Sequence, residues 1–210
     1  MIDPKENNIL SDNEIGTLFA KIRQCEVCLA STSPLPVTPN PILRGNAHSR
    51  IRIISQAPGT LAHNSSIPFK DPSGRRLRDW LGVDEDTFYN EDNFAITPMG
   101  FCFPGQDKNG GDLPPRKECA PLWQNKLDAV LPNVKLTLLV GSYAVKYVLG
   151  AEAKRNLTET VRAWESYGEH LMPLPHPSWR NNAWIKRHTW FAAELEVLKA
   201  RIARHLKTNS

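Results

Sequence analysis

Four cysteines and six histidines carry most of the chemical potential of this 210-residue chain. Two cysteines form the pair Cys25-Glu-Val-Cys28, while Cys102 and Cys119 stand far from it, with sixteen residues between them. Thiolates are soft ligands suited to Zn²⁺ or to an iron-sulfur cluster, and a closed structural site takes four of them. Spacing alone leaves three readings open: zinc, a cluster, or four unrelated buried thiols. Of the histidines, His176 lies in Pro175-His-Pro-Ser178 just after a short apolar run, and His63 lies close behind Gln56-Ala-Pro-Gly59. A lone loop histidine is more often solvated than catalytic, so its surroundings must decide.

Those loops follow segments that read as strands. Arg50 to Ser55, Asn93 to Thr97, Lys135 to Val140 and Leu171 to Pro175 are short apolar or β-branched runs, bounded by Pro, Gly and polar residues. Between them, helical periodicity is expected over 12–24, where Ile15, Leu18, Phe19 and Ile22 share a face, and over 75–81, 121–131, 142–149, 151–166 and 190–204. All four cysteines are expected to flank regular elements. The last helix places Lys199, Arg201, Arg204 and Lys207 on its polar side. Strands alternating with helices predict an α/β fold, a three-layer α/β/α sandwich around a central, mainly parallel four-stranded sheet. In such sheets ligands bind where strands end.

Composition sets the frame. A net charge of +4, from 26 Lys+Arg against 22 Asp+Glu, permits a polyanionic partner without requiring one. One domain spanning 1–210 is expected, with an N-terminal helix and cysteine pair over about 12–30 and a core over about 45–205. The acidic start shows no positive segment leading into an apolar run, and no stretch approaches a membrane span, so a soluble cytoplasmic protein is expected; a monomer is expected as well. A reducing compartment argues against two structural disulfides.

With the motifs in order, the chain resembles the iron-sulfur uracil-DNA glycosylases of families four and five. The likeness runs from about residue 20 to 200. It rests on the cysteine spacing with Gly100-Phe-Cys-Phe-Pro-Gly105 around the third cysteine, and on Gln56-Ala-Pro-Gly59 through Ile67-Pro-Phe69 and Ser73-Gly74. Leu139-Val-Gly141 and Pro175-His-Pro-Ser-Trp-Arg-Asn181 complete it. The resemblance implies a structural 4Fe-4S cluster on Cys25, Cys28, Cys102 and Cys119, with zinc as the alternative. It also implies a DNA partner containing a deaminated base, which is flipped out and excised to leave an abasic site.

Cleaving the bond to a pyrimidine leaves an oxocarbenium-like sugar and an electron-rich base. His176 is the residue that would donate a hydrogen bond to that base, a contribution of about 3 to 4 kcal/mol for a preorganised donor. Gln56 and Ala57 would sit beside the scissile bond, Phe69 would stack on the base and Ser178 would contact it or a phosphate. Arg75, Arg76 and Arg78, with Trp179, Arg180 and Asn181, would track the DNA backbone and fill the vacated stack. No lysine stands at the expected site, so lyase chemistry is not expected.

Two positions depart from the family pattern. Where family four offers acidic residues after the Pro-Gly, this sequence reads Ala62-His63-Asn64, leaving His63 as the nearest water-orienting group and Asp71 as a second candidate that also suits a turn. Pro98 stands where an asparagine reads the uracil edge in the family, so strict uracil selectivity is not implied, and the apolar first motif with His-Pro-Ser and a nearby Asn resembles family five, with its wider base range. Two rival readings follow: a non-catalytic or tightly retaining binder of damaged or single-stranded DNA, and a zinc-stapled scaffold with no nucleic-acid role.

Overall fold

The computed structural model describes residues 4–31 and 34–207. Four strands, β1 (Ile51–Ile54), β2 (Phe94–Ile96), β3 (Leu136–Val140) and β4 (Leu171–Leu174), form one sheet in the order β2-β1-β3-β4. All three pairings are parallel, with Ile51 opposite both Phe94 and Leu136 and Thr137 opposite Leu171. The sheet is thus wholly parallel, and its strands lie buried on both faces as the apolar runs predict. Antiparallel bonding between Arg44 and Ile96, 3.0 and 2.8 Å, covers the outer side of β2.

Nine α-helices are described: α1 (Pro4–Arg23), α2 (Thr60–Ser65), α3 (Pro72–Leu81), α4 (Glu85–Tyr89), α5 (Cys119–Val130), α6 (Ser142–Leu149), α7 (Leu157–Arg162), α8 (Asn182–Arg187) and α9 (Phe191–Leu206). Side chains alternate across each strand and sort these helices into two layers. Ile51, Ile53, Phe94, Leu136, Leu138 and Met172 face α3 and α9 through Leu77, Leu81, Phe191, Leu198 and Ile202. Ala95 faces the other way, toward Ile15, Phe19 and Ile22 of α1 and Leu127 of α5. Ile54 and Leu139 meet Ala144 and Val145 of α6 on that side. Fully burying one such aliphatic side chain stabilises the fold by about 1.5 to 3 kcal/mol.

Several expected boundaries move. The helix expected from residue 12 begins at Pro4, and the polar 151–166 segment is only the short α7 between two 3₁₀ turns. Cys28 lies inside a 3₁₀ turn, Val27–Ala30, and Cys119 opens α5, so neither merely flanks an element. Arg201, expected on the polar side of α9, is buried. Its guanidinium donates to the Glu169 carbonyl and to the Gly168 carbonyl at 3.3 Å, and lies 5.2 Å from the Trp164 ring centre. Among the described residues no helix is long and apolar enough to cross a membrane.

Candidate active site

From β1 the chain passes to β2 on one side and then to β3 on the other, so the order of strand addition reverses between β1 and β3. The loops leaving these strands surround a cavity of about 370 Å³, within the range of small-ligand sites, at roughly 300 to 1,000 Å³. The loop after β1 contributes Ser55, Ala57, Pro58 and Gly59, the end of β2 contributes Ile96 and Pro98, and the loop after β4 contributes His176 to Arg180. Gly141, which follows β3 at φ 90°, passes close beneath His176: a Cβ there would lie 3.5 Å from the histidine Cβ.

The His176 loop is held from two sides. Arg76 of α3 donates to the carbonyls of Pro177 and Ser178 at 3.2 and 2.9 Å, and the Asn181 amide donates to the His176 carbonyl at 2.6 Å. Burial lowers the His176 pKa below its ordinary value, against smaller opposing pulls from the carboxylates of Asp71 and Asp112. The imidazole is therefore neutral at neutral pH and can donate one N–H into the cavity.

Opposite stands Phe69, with its backbone in the left-handed region at φ 58° and its ring edge-on to Phe88. Gly74 explains how this conformation is accommodated, since a Cβ at 74 would fall 1.8 Å from the Phe69 carbonyl oxygen. Asp71 caps α3, its Oδ1 accepting from the Gly74 N–H at 2.8 Å. Behind the β2 end, Gln124 donates to the Pro98 carbonyl at 2.8 Å. Gln124 also accepts from Arg52 at 2.7 Å, while Arg52 is paired with Asp128. The backbone at Pro98 is thereby fixed where the side chain has nothing to offer.

Other expected residues lie elsewhere. Gln56 does not line the cavity, because its amide donates to the Leu113 carbonyl at 3.1 Å. His63 turns away as well, its ring 5.8 Å from that of Phe103. Arg78 is buried against Phe88 and Tyr89 and paired with Glu85 at 3.1 Å, so its guanidinium is engaged within the protein rather than presented to a DNA backbone. Arg75 is exposed on α3. Trp179 is 69% exposed at the cavity rim, with the Arg180 guanidinium 5.3 Å from its ring centre. Sequence reasoning missed Asp112, which lines the cavity from the hairpin that follows the Gly100–Gly105 motif.

The four cysteines share one region on the α5 side and form no disulfide. Burial above all, with smaller contributions from Cys25 and Cys28, raises the Cys102 thiol to about 12 and that of Cys119 to about 11. Arg116 lies beside Cys28 and opposes the upward push of burial there. Among the described residues no three His, Cys, Asp or Glu side chains converge tightly enough to hold a single ion.

Parallel strands, a preformed cavity over the reversal of strand order and an exposed aromatic at its rim define an α/β protein with a ligand site at the strand ends. The model of the uracil DNA glycosylase superfamily matches residues 43–199, and the chain belongs to that superfamily. Among solved structures, it is similar to a Methanosarcina acetivorans protein provisionally designated a uracil DNA glycosylase. The two share 14% identity at a TM-score of 0.45, over 76% of this chain and 97% of that one.

Proposed function

We propose that the chain is a monofunctional DNA glycosylase that flips uracil or another deaminated base out of DNA and hydrolyses its glycosidic bond. The observation that carries this reading is the shared cavity: the Ala57–Pro58–Gly59 turn and His176 face one space large enough for a single extruded base. Phe69 supplies the stacking face, worth about 1 to 3 kcal/mol per base. His176 donates a hydrogen bond to the base as its glycosidic electron pair leaves with it. Ser178 and the rim residues Trp179 and Arg180 meet the flanking strand, Trp179 filling the gap the base vacates. Arg76 and Asn181 act one step back, holding the loop that presents the histidine.

The thiol set suits a structural four-iron, four-sulfur cluster, with zinc as the alternative. Four soft donors share one region, Cys25 and Cys28 acting electrostatically on both Cys102 and Cys119. Cys25, Cys28, Cys102 and Cys119 would hold such a cluster, which would tether the 102–119 segment to the start of the chain.

The test is release of free base from oligonucleotides containing uracil, hypoxanthine or xanthine, with the His176→Ala variant alongside. Release by the wild-type chain with an intact strand, reduced about 100-fold or more in His176→Ala, is expected. Pro98, which offers the cavity no amide to read a base edge, favours a second reading as a retaining binder of damaged DNA. Stable complexes with every modified oligonucleotide and no free base would establish that reading instead.

A further inference from the structure

Hydrolysis of a glycosidic bond needs a group to orient water on the sugar face opposite the departing base, and the turn after Gly59 supplies no carboxylate for it. We propose that Asp112, carried by the hairpin between Gly105 and Leu113, is that group. The proposal rests on the glycosylase reading above.

The hairpin is a self-bonded unit. Leu113 N–H donates to the Gly105 carbonyl at 2.9 Å and Asp107 N–H to the Gly111 carbonyl at 2.7 Å. The Asp107 carboxylate accepts the Asn109 and Gly111 N–H groups at 2.8 and 2.9 Å. Gln56 fastens the hairpin to the end of β1 through the Leu113 carbonyl at 3.1 Å. Asp112 is thus placed by its two neighbours in space, Gln106 and Leu113, rather than left on a free loop.

Its carboxylate enters the cavity beside the first strand-end turn, where a Cβ at Gly59 would lie 3.1 Å from Oδ2. Oδ1 accepts from Gln106 Nε2 at 3.3 Å, and among the described residues no donor engages Oδ2. Asp71, the other cavity carboxylate, already caps α3 through Gly74. Asp112 and His176 line the same cavity, so the two groups can address one bound nucleotide.

In the step assigned to Asp112, the water oxygen bonds to C1′ while the C1′–N bond breaks and its electron pair leaves on the base. The water proton passes to the Asp112 carboxylate and on to solvent, and the released base takes a proton from solvent. The negative carboxylate also stabilises the positive charge that develops on the sugar.

The experiment uses the full chain and whichever modified oligonucleotide it processes fastest. Asp112→Asn is expected to lower kcat by about 100-fold or more, with KM within about threefold. In Asp112→Ala, added formate is expected to restore part of the lost rate, an effect that a structural role for the side chain would not give. A kcat for Asp112→Asn within about threefold of wild type, or an Asp112→Ala loss insensitive to formate, overturns the proposal while leaving the glycosylase reading intact. Absence of base release by the wild-type chain overturns both.

Discussion

At the scale of single residues, His176 and His63 make opposite predictions from similar loop positions. His176 faces the cavity and His63 packs on Phe103, so His63→Ala is expected to keep base-release activity within about threefold while His176→Ala loses about 100-fold or more. The motif around His176 was legible in the sequence because its neighbours Pro175, Pro177 and Ser178 mark a strand end. His63 misled because distance along the chain does not report the direction of a side chain within a helix, and α2 turns this ring outward from the cavity. Gln56 misled for a related reason: it sits at the right turn, but its amide reaches the Leu113 carbonyl instead. Asp112 left no local signal, since only the closure of the hairpin against the turn after β1 brings it to the site. Burial also gives His176 a stability signature. Its folded pKa lies below the ordinary 6.5, so its contribution is complete above that value and is lost as pH falls through the folded pKa. His176→Gln is expected to flatten the acid-side decline of Tm in a thermal-melt series.

At the scale of elements, α9 carries the opposite signature. Burial raises the Glu194 carboxyl to about 7, with Arg162 opposing and Glu165 adding to the shift, and its Oε2 is buried without a partner. A raised folded pKa means that its contribution is complete below the ordinary 4.5 and is lost as pH rises through about 7. Glu194→Gln is therefore expected to have a higher Tm than wild type at pH 8, with the difference vanishing at pH 4.5. In α3, Gly74→Ala is expected to lower stability by about 1 to 3 kcal/mol and to raise KM, because the new methyl must displace the Phe69 backbone. Denaturant melts and steady-state kinetics measure the two effects. The strands were legible to within a residue or two at each end, as buried parallel strands are nearly continuous apolar runs. The short helices α2, α4 and α8, of five or six residues each, escaped because so few turns establish no periodicity.

At the scale of the whole molecule, the sheet gathers two groups of residues that the sequence scatters: the strand-end loops around the cavity and the four cysteines on the α5 side. If the thiols hold an iron-sulfur cluster, the purified protein is expected to be coloured and to contain iron, since Zn²⁺ with its filled d shell gives no such absorption. Cys102→Ser is expected to lose the colour and to lower Tm, as read by visible spectroscopy, metal analysis and thermal melts. The spacing of the cysteines disclosed the candidate ligand set, but the choice between zinc and a cluster turns on sulfur-to-sulfur separations that no spacing encodes.

The left-handed backbone at Phe69, with Gly74 pressed against its carbonyl, means that one wall of the cavity is already in place before any nucleotide enters. A base that slides in gives up its own motion while the receiving wall gives up little, so adaptation of the protein contributes little to telling one flat ring from another. Choice among bases then falls to the hydrogen-bonding edges, and the energetic hurdle of entry lies in leaving the duplex rather than in reshaping the receptor.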